Sequence, residues 1–423
     1  MENARLLGPG RPEADLQAHL DGLLALDDTT ISRRAGQLSY WALAPSAIRD
    51  APFVRVGNAA GAKFLSDSLF YVASQPSLIS LHDDVVGMVR QLVGGGPEAA
   101  GIVTVGGTES NALAMKAARD HARSLRPEIT EPEVVLCRTA HPSFHKAAHW
   151  LGLRVVSTPF GPDYRADVDA IAAAMSPSTV MIVGSAPSYT HGVIDPIAEL
   201  AALASSHGVW FHVDACVGGI IGPYLRQVGA QIPAYDLSID GVSSISADLH
   251  KHAYAPVGIS TLTFRDATLR DAAAFRFEDW PNGLHRGATF ISSRSASPLA
   301  GAWAVLHYLG DDGLRAMAER LHRSRVALLA GIGRIEGLEA CGDPQVTMWT
   351  VGSPTLDMYA IAEGLEARGW DVARTREPEG IHLIVDPFED DGLIADFLGD
   401  LAEASTEVRD GRRARATQIG AAY

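Results

Sequence analysis

From about residue 100 to residue 265, short apolar runs alternate with alanine-rich stretches of helical length. This is the pattern of a mostly parallel sheet covered by helices. In the clearest unit, Val180-Met-Ile-Val183 reads as a buried strand, Asp195 as a helix N-cap and Pro196 as the first helical position. Residues 197–206 read as the helix, Gly208 as its stop and 210–213 as the next strand. That places Asp214 at the carboxyl end of a strand, where open α/β sheets bind ligands. An earlier unit runs from Ile102-Val-Thr-Val105 through Gly106-Gly-Thr-Glu-Ser110 into a helix over 111–125. Its glycines therefore sit at a strand-to-helix turn, where backbone amides suit a phosphate. Residues 1–60 read as an N-terminal arm with an early helix and 61–307 as the large domain. Residues 308–423 read as a small α+β domain, with helical patterns followed by short strands such as 381–385.

With 423 residues and 47% hydrophobic composition, the chain can bury a large core. A net charge of -15 argues against a nucleic-acid partner, which would need clustered cations. The one basic run, 409–415, is expected to be a solvated, partly disordered tail. Cys137, Cys216 and Cys341 follow no pairing or metal-binding spacing and read as structural thiols in a reducing compartment; no metal site is expected. No signal-peptide pattern and no apolar stretch of about 20 residues is found, so a soluble, cytoplasmic protein without a membrane span is expected.

The chain has four lysines against 31 arginines. One of the four, Lys251, lies in the small-residue stretch Ser244-Ile-Ser-Ala-Asp-Leu-His-Lys251-His-Ala-Tyr-Ala-Pro256, 37 residues after Asp214. An amine that can form a Schiff base and a carboxylate that can keep a pyridine nitrogen protonated are what pyridoxal 5'-phosphate (PLP) needs. A compact ammonium whose pKa responds to burial suits that role better than a guanidinium.

In order along about residues 50–310, six segments together resemble the PLP-dependent group II decarboxylase superfamily, and within it the sphingosine-1-phosphate lyases. They are Gly106-Gly-Thr-Glu-Ser110, Ala140-His-Pro-Ser-Phe-His-Lys-Ala-Ala148, Gly184-Ser-Ala-Pro187, His191-Gly-Val-Ile-Asp-Pro196, His212-Val-Asp-Ala-Cys-Val-Gly-Gly219 and the Lys251 stretch. The resemblance implies a fold-type-I PLP enzyme, a homodimer with shared active sites acting on a small-molecule amino substrate. It makes Lys251 the Schiff-base lysine, Asp214 the partner of the pyridine nitrogen and His141 the residue stacked on the ring. Gly107, Thr108 and His250 would hold the cofactor phosphate. Ser292 and Ser293 would reach that phosphate across the dimer interface. His212 and His191 either orient the loop beside Asp214 or are structural. Tyr254 either donates a proton in the site or packs. Residues 275–280 read as hydrophobic filling near the substrate entrance.

In the lyases a second lysine, six residues beyond the first, contacts the substrate phosphate; that place is Val257 here. An Asn-Pro-Leu-His element that also grips the phosphate has Gln75-Pro-Ser-Leu78 as its counterpart. Both departures point away from a phosphorylated long-chain base. The expected activity is retro-aldol carbon-carbon cleavage of an unphosphorylated or small polar amino substrate. The alternatives are an amino-acid α-decarboxylase and a non-catalytic PLP-binding scaffold. Arg276, Arg286 and Arg294 are candidates for a substrate carboxylate, with surface or interface ion pairs as the competing role.

Overall fold

Strand segments with no polar face need cover on both sides, and here they obtain it in one seven-stranded sheet. In the computed structural model, which describes residues 12–30, 51–388 and 390–415, the strands are β1 (Ala100–Thr104), β2 (Glu133–Cys137), β3 (Arg154–Thr158), β4 (Thr179–Ser185), β5 (Trp210–Asp214), β6 (Ser244–Asp248) and β7 (Ser260–Phe264). Their order is β1-β7-β6-β5-β4-β2-β3, and only β7 runs antiparallel to its neighbours. Val135, Ile182, Phe211 and Val213 point into one apolar core, while Val134, Leu136, Val183 and Trp210 point into a second on the opposite face. The mostly parallel α/β architecture read from the sequence is therefore the one observed.

Element positions agree with the sequence reading to within a few residues. The helix forecast over 111–125 begins earlier, at Gly107. The helix after β4 spans Ile197–His207 and ends at Gly208, whose φ of +61° is the left-handed conformation expected of a glycine stop. Asp195 corrects one expectation. It does not cap that helix; its carboxylate accepts the backbone N–H groups of Ser185 (2.8 Å) and Ala166 (2.8 Å). Two long-range donors displace the local one, so Asp195 fastens the end of β4 to the 160s loop.

Burial pushes the Asp195 carboxyl up to about 6, against the pull of its two N–H donors. The unfolded value is near 4, so the folded protein holds an extra proton between roughly pH 4 and 6 and loses stability as pH rises through that window. Asp195→Asn cannot titrate. In urea unfolding at pH 4, 5, 6 and 7, wild type should lose stability relative to Asp195→Asn from pH 4 to 6 and hold level above; a gap independent of pH would contradict the assignment.

Beyond the large sheet, a small hairpin pairs β8 (Phe275–Phe277) with β9 (His285–Gly287). A four-stranded antiparallel sheet follows, built from β10 (Glu339–Ala340), β11 (Met348–Gly352), β12 (Ala373–Arg376) and β13 (Glu379–Ile384), and packed by helices Met358–Glu366 and Asp391–Arg409. The division placed at 307/308 falls inside helix Ser297–Ile332, just before Gly310, whose φ of +56° interrupts it. Within the N-terminal arm, helices Glu13–Thr30 and Pro52–Lys63 are described; 1–11 and 31–50 lie outside the described residues.

The basic run departs from its expected looseness. Arg413 pairs with Glu407 (2.8 Å) and Arg415 with Asp357 (2.9 Å), so the segment up to Arg415 is docked on acidic partners of the small sheet and its helices. Among the described residues no helix is long and apolar enough to cross a membrane. All three cysteines are buried and unpaired.

Candidate active site

The carboxyl ends of β1, β2, β4, β5 and β6 converge on one cavity of about 370 Å³. Gly107, Thr108, His141, Asp214, His250 and Lys251, chosen from sequence, all line it. The turn after β1 passes so close to the β6 end that a Cβ on Gly107 would collide with Cys216 Sγ and stand 3.0 Å from Asp248 Oδ2. Glycine is required there by this close approach. Helix Gly107–Leu125 thereby starts with its N-terminus at the cavity wall.

Asp214 ends β5. Its Oδ2 accepts from Asn111 Nδ2 (2.9 Å), and its Oδ1 accepts from the Cys216 amide (3.1 Å) and from Ser246 Oγ (3.3 Å). Burial opposes its charge, but His141, the Cys216 side chain, Lys251 and His212 together outweigh burial and hold the carboxyl below the ordinary range. Asp214 is thus an ionised group aimed into a nearly closed wall.

Lys251 Nζ pairs with Asp248 Oδ2 at 3.0 Å, three residues upstream at the end of β6. Burial alone would lower the ammonium's pKa; Asp248, Cys216 and Asp214 reverse that and hold it above the ordinary lysine value. Of these, the Cys216 thiol is itself pushed far up by burial and is neutral at physiological pH, which leaves the two carboxylates as the effective cause. Asp248 Oδ1 is buried and makes no hydrogen bond among the described residues.

His250 Nδ1 lies 2.6 Å from the Ile259 carbonyl oxygen and 3.3 Å from its amide nitrogen, so its Nε2 is the atom left facing Asp248 at 3.7 Å. His141 Nδ1 accepts the Ser143 amide N–H (3.2 Å), which places the proton of the neutral ring on Nε2. Burial keeps that ring's pKa low.

Other sequence candidates lie elsewhere. Tyr254 is outside the cavity lining. With a φ of +56°, its ring turns into an apolar group with Phe53 (5.7 Å) and Phe388 (5.8 Å), beside a separate pocket of about 130 Å³. Its hydroxyl lies 3.5 Å from His252 Nδ1. Ser292 and Ser293 are exposed and do not line this chain's cavity, because Glu109 at the helix start binds the amides of Phe290 (2.9 Å) and Ile291 (3.2 Å) and fixes the segment outside it.

Arg294 spends its guanidinium on its own loop and on the Val103 carbonyl. Arg286 and Arg276 stand on the exposed hairpin facing Asp271 and Glu278. His191 donates through Nε2 to the Glu377 carbonyl, and His212 lies behind Asp214. Residues 275–280 are mostly exposed, with Phe275 stacked on Phe277 rather than filling the cavity. Sequence reasoning gave no role to Asn111, Asp248 or Glu109. Only Asp248 carried a usable signal, three residues before Lys251.

The cavity suits PLP: an amine inside it, a buried ionised carboxylate and a glycine turn at a helix N-terminus. A model of the pyridoxal-dependent decarboxylase conserved domain matches residues 61–348. The chain belongs to that family. PLP is therefore its cofactor. The chain is 35% identical to the sphingosine-1-phosphate lyase of Arabidopsis thaliana over 83% of its own length and 65% of that protein. It is 34% identical to a probable L-tyrosine/L-aspartate decarboxylase of Methanothermobacter thermautotrophicus over 73% of this chain and 82% of that one. Thus the chain spans under two thirds of the plant lyase. The solved sphingosine-1-phosphate lyase of Burkholderia pseudomallei superposes with a TM-score of 0.89 at 32% identity, covering 96% of this chain and 94% of the other. The glutamate decarboxylase of Lactobacillus brevis shares the fold at 20% identity, with a TM-score of 0.78.

Proposed function

We propose that this family member is a carbon-carbon lyase that cleaves an unphosphorylated or small polar amino substrate in a retro-aldol sense. When bound, PLP supplies an electron sink for the bond broken at the amine-bearing carbon. Lys251 would hold its aldehyde carbon, Asp214 its pyridine nitrogen, His141 its ring face, and the Gly107 and Thr108 amides with His250 its phosphate. Asp248 keeps a proton on Lys251 Nζ within the cavity. The same nitrogen, once neutral, is placed to take a proton from a substrate hydroxyl and return one to carbon. His141 presents Nε2–H as a fixed donor.

The observation that carries this reading is the make-up of the wall. Carboxylates of Asp214 and Asp248 face Lys251, His250 and His141, and no guanidinium lines the cavity among the described residues. An amine enters a field that favours it, whereas a substrate carboxylate lacks the bidentate partner such groups use. Val257, at the rim and 80% exposed, puts an apolar group where a phosphate contact would be needed. Of the Gln75–Leu78 element, Leu78 is fully buried and Gln75 Nε2 faces Asp67 at 3.4 Å, so neither offers a cation.

Parallel assays for aldehyde and carbon dioxide, with β-hydroxy amino acids, amino alcohols and their phosphates, test the proposal. Aldehyde from unphosphorylated substrates is expected, and carbon dioxide alone would replace it with the α-decarboxylase reading, which the 34% identical decarboxylase relative keeps in view. Val257→Lys should raise kcat/KM for phosphorylated relative to unphosphorylated substrate by about tenfold, the scale of one charge-assisted contact. An unchanged ratio would place the phosphate away from Val257.

A further inference from the structure

Behind Asp214 the wall is polar and closed. Trp210 Nε1 lies 2.9 Å from Ser244 Oγ, which lies 2.9 Å from His212 Nδ1. His212 Nε2 is 3.2 Å from Asn111 Oδ1, and Asn111 Nδ2 is 2.9 Å from Asp214 Oδ2 and 3.1 Å from Ser143 Oγ. Trp210, Ser244, His212, Asn111 and Asp214 are all buried.

The direction of the bonds is fixed from the carboxylate end. An ionised carboxylate only accepts, so Asn111 must turn its NH₂ toward Asp214 and its oxygen toward His212, which requires Nε2–H. A neutral His212 then has a bare Nδ1, so Ser244 Oγ, which accepts from the Trp210 indole, gives its own hydrogen to Nδ1. The carboxylate thus selects one tautomer. Burial pushes the His212 imidazole down to about 4, so the ring stays neutral and the pattern holds across physiological pH.

We infer that Asn111 and His212 are positioning residues for Asp214, the last links of a one-way hydrogen-bond chain that starts at the Trp210 indole and delivers an N–H to the carboxylate. The inference rests on the reading of Asp214 as partner of the pyridine nitrogen. On that reading the hydrogen-bond chain keeps the carboxylate ionised and oriented, and so keeps the pyridine nitrogen protonated. The second Asn111 hydrogen goes to Ser143, whose amide in turn holds His141 Nδ1. One asparagine thus ties the carboxylate at the ring nitrogen to the imidazole assigned to the ring face. The other charged or titratable groups acting on Asp214 are His141, Cys216, Lys251 and His212 itself.

The test uses the PLP-loaded protein and two readouts other than turnover: the ¹⁵N NMR signals of the His212 ring, and the ¹⁵N signal of labelled cofactor followed against pH. Wild type should show His212 protonated at Nε2 alone. His212→Leu and Asn111→Leu should lower the pH at which the pyridine nitrogen loses its proton by about one unit and weaken PLP binding about tenfold, the scale of one hydrogen bond to a charged group. His212→Gln, whose amide can still offer an N–H to Asn111, should stay within about threefold of wild type. A His212 ring protonated at Nδ1, or equal effects of Gln and Leu, would overturn the relay. A nitrogen that responds to Asp214→Asn but to neither leucine variant would overturn the relay alone. A nitrogen indifferent to Asp214→Asn would overturn both it and the reading beneath it.

Discussion

Lys251→Ala should abolish the visible absorption of protein-bound PLP and cut product formation by at least about 10³-fold, because on the proposed reading one side chain supplies both the covalent attachment and the proton donor. No neighbour can take its place. The other lysines are remote in role: Lys116 is bound to Asp120 and to two carbonyls, and Lys146 lies over the Trp150 ring on the surface. Stability should move much less than activity. The substitution leaves Asp248 buried without its cation, a loss that a Lys251→Ala, Asp248→Asn double variant should recover in thermal unfolding while activity stays absent.

The second large effect is at Asp214. Asp214→Ala removes the negative charge that the proposed reading assigns to the pyridine nitrogen, and the rate should fall by about 10²- to 10³-fold, as when a preorganised electrostatic group is deleted. PLP should also be retained less well. The variant changes the pH dependence of stability with a definite sign. In the folded protein the Asp214 carboxyl is held below its unfolded value, so its contribution is present above about pH 4 and is lost as pH falls through the folded value. Acid unfolding curves of wild type and Asp214→Ala should therefore differ in slope below about pH 4 and run parallel above it. Parallel curves throughout would mean that the buried carboxylate is not depressed.

Much of the frame is local and was legible for that reason. Apolar runs, small-residue helices and glycine stops are set by neighbours within a few positions, and β4, the helix at Ile197–His207 and β5 fall where periodicity puts them. The cavity residues were legible because Lys251 and Asp214 carry a chemistry that few residue pairs can provide. What escaped depends on partners distant in sequence. Asp195 is claimed by Ser185 and Ala166 before it can cap its helix. Tyr254 follows Lys251 by three residues, yet its left-handed backbone turns it toward Phe53 and Phe388. The segment at 289–295 is held by Glu109, about 180 positions earlier. Asn111 read only as the start of a helix, because the His212 and Asp214 that give it a role lie a hundred residues on.

The measurement that bears most directly on the central claim is borohydride reduction of the PLP-loaded protein, followed by proteolysis and peptide mass mapping. Reduction makes the lysine-cofactor bond permanent, and the phosphopyridoxyl group should be found on the peptide carrying Lys251, at close to one per chain. Its recovery on Lys63, Lys116 or Lys146, or on no lysine at all, would contradict the account.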